Sequence, residues 1–366
     1  MKAKSLLIPV LVAGFVLSLF VPLSAANQKD KEKPAAPAQQ KIFIPKEVKA
    51  VLQEGLATKQ GRQDIPVTIF HSLYLPAQQN FQSIFFMNIK NSALGYGPAG
   101  AGSTPGEKPK EKPAPESEVA PSPQSDLLEA KFNVFLQFNR LEEDTEPKVA
   151  SEVYVPTTIQ VEEAAFDPEK EDIYSFGYPL PTGHYVLALA IASLDLQKIG
   201  TAYYEFTLPD ASTFSKAMDT TPIFFVKSLE QTEAAETRTI LHKGYFTYAV
   251  LKIIPNIDKV FSVGDNLDIF FFIFGLQQNE QQQNTVEVNF EVKKGEEAAI
   301  RWAPQTYNSP LISQPLPLKQ TLTIKSQAGE KTEQRDIGPG KYTLVISVQD
   351  KVTGNSVTKT VDFEVK

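Results

Sequence analysis

The chain has 366 residues, of which 42% are hydrophobic, with no cysteine and a formal net charge of −7. This length is enough for two or three domains with their own cores. The lack of cysteine excludes disulfides, thiolate metal ligands and lipid attachment at a cysteine. The acidic balance argues against nucleic acid and anionic lipid as partners, because both attract Lys/Arg patches.

The N-terminus has the pattern of a cleaved secretory signal. Lys2 and Lys4 precede an apolar stretch, residues 6–20, and small residues follow at 24–26. We therefore expect residues 1–26 to be removed on export from a bacterial cell, to the periplasm or beyond. The stretch is shorter than the about 20 residues of a membrane span, and no later segment is long enough, although an uncleaved anchor stays open. Cleavage removes two lysines and no acid, which takes the net charge from −7 to −9.

Two segments are predicted to lack regular structure. Residues 27–40 are charged and rich in Pro and Ala, which is typical of a flexible tether. Residues 95–125 are rich in Pro, Gly, Lys and Glu and have too few apolar residues to bury a core. Because both flanks of 95–125 look like strands, we place it as a disordered insertion inside a domain. A Pro-rich docking segment is the alternative.

One helix is predicted, over Pro45–Thr58, because its apolar residues share one face at the 3.6-residue period. These residues are Val48, Val51, Leu52 and Leu56. Elsewhere, short β-branched and aromatic runs bounded by turn residues predict strands. The first half has Val67–Tyr74, Ser83–Ile89, Lys131–Phe138, Val153–Val161, Tyr185–Ala192 and Ala202–Leu208. The second half has Ile223–Lys227, Tyr245–Ile254, Leu267–Phe274, Thr285–Val292, Leu318–Ile324, Tyr342–Val348 and Thr358–Val365.

Two hairpins, one beginning at Gly183 and the other at Gly340, repeat one pattern and each closes half of the chain. The alternating apolar residues Tyr185, Leu187, Leu189 and Ile191 match Tyr342, Leu344, Ile346 and Val348. On the return strands, Tyr204, Phe206 and Leu208 match Val361, Phe363 and Val365. Such a strict period of two indicates that one face of each hairpin is buried in a core, which fixes the register of its strands.

The match continues upstream of the hairpins. Residues 132–138 align with 286–292, and the apolar runs 84–89 and 269–274 align with each other. Continuous apolar runs are typical of central strands buried on both faces. The chain is therefore predicted to be all-β, with two tandem immunoglobulin-like β-sandwich domains and one short N-terminal helix. The predicted domains are 41–209 and 222–366, joined by a polar linker, 210–221.

The second half resembles a family of secreted bacterial proteins. The segments that carry the resemblance are YFTYAVLKIIPN, LDIFFFIFGLQ, VEVNFEV and PGKYTLVISVQDKVTGNSVTKTVDFEV. They are similar to the immunoglobulin-like C-terminal region of acidobacterial-type proteins that also carry GWxTD or von Willebrand A-like domains. The resemblance implies a fold and no chemistry, because this chain lacks both the GWxTD sequence and the Asp-x-Ser-x-Ser metal motif.

The three histidines, His71, His184 and His242, have no metal-ligand partner at helical or hairpin spacing. His71 precedes Ser72, but no Gly-x-Ser-x-Gly turn is present, and neighbours on a strand point to opposite faces. We therefore expect no catalytic residues, no cofactor and no metal ligands.

Carboxylates cluster in the segment 162–172. Asp167, Glu169, Glu171 and Asp172 offer the oxygen ligands that Ca²⁺ prefers. However, the Asp-x-Asp-x-Asp-Gly order is missing and Lys170 interrupts the cluster. The pattern favours a solvated acidic loop and leaves calcium binding open.

Trp302 and Tyr307 are the candidate ligand-binding residues. Exposed aromatic rings on a sandwich can stack on sugar rings, whereas burial of Trp302 at the end of its core is favoured energetically. The sequence thus predicts an exported, non-catalytic structural or protein-interaction module of the cell envelope, presenting loops or a sheet edge to a protein partner. A carbohydrate-binding protein with a glycan ligand and an unrecognised hydrolase are the alternatives.

Overall fold

The computed structural model describes residues 44–58, 60–99, 126–143, 145–215, 217–326 and 329–366. The predicted signal 1–26, the tether 27–40 and residues 100–125 of the Pro-rich insertion lie outside the described residues. Within them, the fold is all-β and of the sandwich type, with one short N-terminal helix, which confirms the predicted fold class.

The structure has one helix and 23 strands in the described residues. Helix α1 spans Lys46–Thr58. The first half of the chain contains β1 (Val67–Ala77), β2 (Asn80–Lys90), β3 (Gly97–Pro98), β4 (Leu127–Leu141), β5 (Lys148–Glu162), β6 (Glu171–Leu180), β7 (Gly183–Ala192) and β8 (Ile199–Leu208). The second half contains β9 (Asp219–Thr220), β10 (Phe224–Gln231), β11 (His242–Lys243), β12 (Phe246–Tyr248), β13 (Leu251–Pro255), β14 (Val260–Phe261), β15 (Asn266–Phe274), β16 (Val286–Lys294), β17 (Glu297–Arg301), β18 (Gln305–Tyr307), β19 (Leu311–Pro317), β20 (Lys319–Ser326), β21 (Gly329–Asp336), β22 (Gly340–Asp350) and β23 (Ser356–Val365). Short 3-10 turns lie at Asn91–Leu94, Glu163–Ala165 and Ala211–Ser215.

The strands form four main sheets. Sheet I has the order β1-β2-β6-β11, and sheet II has β5-β4-β7-β8 with β3 also on β4. Sheet III has β12-β13-β10-β15-β19 with β9 on β15, and sheet IV has β17-β16-β22-β23-β14 with β18 on β16. Strands β20 and β21 form a separate hairpin. In the first half, β1-β2-β6 face β5-β4-β7-β8, and in the second half β10-β15-β19 face β17-β16-β22-β23. The two halves thus share one order of three strands against four, as in immunoglobulin-type sandwiches.

Two sandwich cores lie between these sheets. The first, between sheets I and II, contains Phe85, Phe138, Phe176 and Leu189, all fully or almost fully buried. The second, between sheets III and IV, contains Phe271, Phe290 and Leu344. Helix α1 covers the outer face of sheet II, where Val48 and Leu52 pack on the alanines of β7.

A third core joins the two halves. The outer faces of sheets I and III pack on each other and bury Leu73, Leu75, Ile84 and Phe86 against Phe224, Phe246, Phe270 and Phe272. The order of layers is therefore α1, sheet II, sheet I, sheet III and sheet IV. The apolar runs in β2 and β15 are buried on both faces, as predicted, because each contributes to this junction core as well as to its own sandwich.

Strand pairing confirms the alignment of the two hairpins. Gly183 pairs with Leu208, and Gly340 pairs with Val365, so the register is the same in both. The match with the preceding strand also holds, because Phe138 pairs with Leu187 and Val292 with Leu344.

One predicted strand is wrong. The segment Tyr245–Ile254 was expected to be continuous, but it folds into β12 and β13, which pair with each other. The reversal occurs at Ala249, whose φ of 50° lies in the left-handed region that allows a tight turn. The predicted linker 210–221 holds a 3-10 turn and β9, and its Phe214 stacks on Phe274 with ring centroids 4.2 Å apart.

Candidate functional site

A cavity of about 560 Å³ opens where sheets I and III diverge. Four segments line it: the β1–β2 turn (76–80), β6 near Gly177 and Pro179, the loop 236–240, and the β12–β13 turn (247–249). We call it the junction cavity. Its volume is within the range of about 300–1,000 Å³ that is typical of ligand pockets.

The β1–β2 turn supplies amide side chains to the junction cavity. Gln78, Gln79 and Asn80 are exposed at the turn, and Gln82 follows them on β2. Gln78 has a φ of 44°, so the reversal places a non-glycine residue in the left-handed region. These side chains offer both hydrogen-bond donors and acceptors without adding charge.

The β12–β13 turn forms the opposite wall. Its Tyr248 is 9% exposed, and the hydroxyl donates a hydrogen bond of 2.6 Å to the Pro76 carbonyl of the β1–β2 turn. Burial raises the pKa of Tyr248, so the phenol stays protonated and remains a donor. This bond ties the two turns together, although they belong to different halves of the chain.

The loop 236–240 closes the third side of the cavity. Glu236 accepts hydrogen bonds from His242 Nε2 at 3.0 Å and from Thr247 Oγ1 at 2.8 Å. Thr239 Oγ1 donates to the Gly177 carbonyl of β6 at 3.2 Å. Both ends of the loop are therefore attached to neighbouring strands.

Two side chains of this loop remain open to solvent at the cavity. Ile240 is 44% exposed, and Arg238 is also exposed. Within the described part of the chain, Arg238 has no ion pair and no side-chain hydrogen bond. Glu236, in contrast, is already engaged by His242 and Thr247. The lining thus holds one carboxylate, which is hydrogen-bonded to His242 and Thr247, and one guanidinium, that of Arg238, which has no partner among the described residues.

The structure does not bring Trp302 and Tyr307 into this cavity. Trp302 is half-buried and packs against the second sandwich core, and Tyr307 does the same. The hydroxyl of Tyr307 lies 2.6 Å from Gln305 Oε1 and 3.2 Å from Gln314 Oε1, and burial raises its pKa to about 12. Ligand binding by these two residues stays a prediction.

The histidines lie apart from one another. His71 stacks on Phe86 with ring centroids 5.8 Å apart, whereas the Ser72 hydroxyl points the other way and bonds to Tyr204. His184 is exposed and pairs with Glu205 at 2.7 Å. His242 is buried beside Tyr245 and faces Glu236. His71 and Ser72 thus lie on opposite faces of β1, as expected for neighbours on a strand.

Two carboxylates of the segment 162–172, those of Glu169 and Asp172, pair with lysines. Asp172 contacts Lys170 at 3.0 Å and Lys243 at 2.7 Å, and Glu169 contacts Lys90 at 2.7 Å. Among the residues that the structure describes, no group of three or more His, Cys, Asp or Glu side chains is arranged to hold a metal ion.

Sequence reasoning missed the junction cavity. The signals available in the sequence were the amide run 78–80 between two strands and the single arginine in the polar segment 231–241. Neither is specific, because the cavity exists only after sheets I and III stack on each other.

Neither family models nor curated proteins supply a relative of this chain. In the described ranges, none of the helices is long and apolar enough to cross a membrane. The sequence matches no family model, and no curated protein is significantly similar to it.

Proposed function

We propose that the chain is an exported, non-catalytic structural or protein-interaction module of a bacterial cell envelope. The observation that carries this proposal is the joining of two sandwiches into one layered body with a polar cavity at their junction. Such a body holds its loops and turns in fixed relative positions, which favours recognition of a partner. The sequence pattern of residues 1–26, which predicts an export signal, supports the location.

The contacts between the halves are specific as well as apolar. Strand β11 of the second half extends sheet I of the first half, where His242 pairs with Ser175 and Lys243 with Tyr174. This is sheet-edge addition within one chain, the same mode of pairing by which sandwiches bind extended segments of other proteins.

An ion pair reinforces this strand addition. The carboxylate of Asp172 is 8% exposed and accepts hydrogen bonds from Lys243 Nζ at 2.7 Å and Asn91 Nδ2 at 2.8 Å. Burial by itself raises the pKa of Asp172, but the bonds from Lys243, Asn91 and Lys170 outweigh it and hold the pKa below its usual range. The ion pair between Asp172 and Lys243 therefore joins the two halves beside the junction core.

Carbohydrate binding is the second candidate, because the half-buried ring of Trp302 keeps part of its surface in solvent. Trp302 is the single tryptophan of the chain, so its fluorescence reports on ligands at that site alone. Titration with cell-wall glycans should leave the emission unchanged if the module binds protein. A saturable shift would favour the carbohydrate alternative.

The main test is affinity capture with residues 27–366 immobilised and exposed to an envelope extract of the source organism. We expect one captured protein in a molar amount close to that of the immobilised chain. An excess of soluble folded chain should displace this protein, and heat-unfolded chain should not. If no bound protein responds to the folded competitor, the proposed function is wrong.

A further inference from the structure

We propose that the junction cavity binds a short extended peptide segment that carries an acidic residue, whose carboxylate pairs with Arg238. This inference rests on the proposed function, because it names the kind of partner segment that the module would recognise. Four features of the cavity support it.

The first feature is the set of side-chain amides on one wall. Gln78, Gln79, Asn80 and Gln82 each carry one carbonyl acceptor and one NH₂ group with two donors. An extended peptide presents backbone N–H and C=O groups in alternation, and buried groups of this kind require partners. A wall of amides can satisfy both kinds without imposing one sign of charge.

The second feature is the unpaired guanidinium at the rim. Arg238 is exposed and has no ion pair among the described residues, while the nearby Glu236 is occupied by His242 and Thr247. The planar fork of a guanidinium matches a carboxylate in two parallel hydrogen bonds. A carboxylate on the bound segment is therefore the charge that this cavity would select.

The third feature is the mixture of apolar and polar groups. Ile240 is 44% exposed beside Pro76 and Pro179, so an apolar side chain next to the acidic residue would bury surface on binding. The aromatic residue of the wall, Tyr248, is 9% exposed and held by the Pro76 carbonyl. Its ring face is not presented, which disfavours stacking of a sugar ring.

The fourth feature is local backbone strain on two facing walls. Gln78 and Ala249 adopt φ values of 44° and 50°, in the left-handed region that non-glycine residues rarely occupy. Strained residues of this kind concentrate at binding sites, where the surrounding contacts hold them in place. Here the hydrogen bond between Tyr248 and Pro76 joins the two strained turns.

The test uses a library of random eight-residue peptides displayed on phage and selected on immobilised residues 27–366. We expect selected peptides to share an acidic residue beside an apolar one. Binding of the synthetic peptides, measured by fluorescence polarisation, should weaken at least tenfold in Arg238→Gln and in Ile240→Glu. Both residues are exposed, so these variants should fold.

The matched control is Arg335→Gln, which removes an exposed arginine from the β20–β21 hairpin and should change affinity less than twofold. Charge exchange gives the sharpest result: Arg238→Glu should restore binding of a peptide whose acidic residue is replaced by lysine. Peptides that bind wild type and both cavity variants equally would overturn this inference while leaving a captured protein partner, and hence the proposed function, in place. A library without enrichment, or a glycan whose binding is lost in Arg238→Gln, would also overturn it.

Discussion

The two closing hairpins share one backbone arrangement but differ on the face that points away from the core. In β7 the outward residues are Ala188, Ala190 and Ala192, all buried beneath α1. In β22 the equivalent residues are Val345, Ser347 and Gln349, which are half-buried on an outer face that no helix of the described residues covers. The inward residues form the sandwich core in both hairpins. We infer that the small outward alanines of β7 allow α1 to pack closely on sheet II, whereas the larger outward residues of β22 would not.

The inward side of the two hairpins agrees in detail. Tyr185 donates a hydrogen bond to the Pro181 carbonyl at 3.1 Å, and Tyr342 donates to the Gly338 carbonyl at 2.7 Å. Each bond reaches four residues back, as in the tyrosine corner of immunoglobulin-type sandwiches. A cation also lies over each ring, Arg140 at 6.0 Å and Lys294 at 5.4 Å.

The outer face provides the largest expected contrast. Ala190→Glu would bury a charge under α1 and should lower the free energy of unfolding by about 3 kcal/mol or more. The matched variant Ser347→Glu loses one exposed hydrogen bond to Thr358 but places its charge on the uncovered side of the sheet, so it should change this free energy by less than about 1 kcal/mol. Urea unfolding measures both. Equal losses in the two variants would show that α1 does not set the difference between the hairpins.

The glycines that open the hairpins give a smaller contrast. Gly183 and Gly340 both have φ of 151°, so alanine is strained at either position. A Cβ at 183 would lie 3.0 Å from the ring of Tyr185, whereas a Cβ at 340 would meet the flexible end of Lys294 at 3.1 Å.

We therefore expect Gly183→Ala to lower the free energy of unfolding by about 2 kcal/mol and Gly340→Ala by about 1 kcal/mol. Thermal or urea unfolding of the two variants decides the order. A greater loss in Gly340→Ala would mean that Lys294 is held more firmly than its position at the end of a long side chain implies.

The tyrosine hydroxyls should behave alike in the two hairpins. Tyr185→Phe and Tyr342→Phe each remove one hydrogen bond to a backbone carbonyl and should each lower the free energy of unfolding by about 1 kcal/mol. Urea titrations of both variants and of the double variant test this. Losses that differ by more than about 1 kcal/mol would contradict the equivalence of the two corners.

The sequence pattern predicted those strands in which every second side chain, or a continuous run of side chains, is apolar and packs in a core. The register of both hairpins and the two-sided burial of β2 and β15 follow from period and from continuous apolar runs. Strand β6 was missed because its segment starts with two acids and contains Gly177 and Pro179, residues that usually end strands. Strand β21 was missed because its sequence, GEKTEQRD, has no apolar residue.

The candidate site could not be predicted in the same way. Arg238 and Gln78 are 160 positions apart in the chain and belong to different sandwiches. They line one cavity only because the outer faces of sheets I and III pack together. The apolar pattern of a single sequence does not determine which outer faces pack on each other. The continuous apolar runs that contain Phe86 and Phe272 predicted that β2 and β15 are covered on both faces. They did not predict that these two outer faces pack on each other.

The smallest expected effect concerns His71, a junction residue of the first half. Burial against Phe86, with a contribution from the charge of Lys259, lowers the pKa of His71 below its usual value of 6.5. The folded chain therefore binds fewer protons here than the unfolded chain, so stability is retained above about pH 6.5 and declines as pH falls through that value. Urea midpoints measured from pH 8 to pH 5 should show this decline. His71→Gln should flatten it, and Lys259→Gln should reduce it partly. An unchanged slope in His71→Gln would assign the acid sensitivity to other groups of the chain.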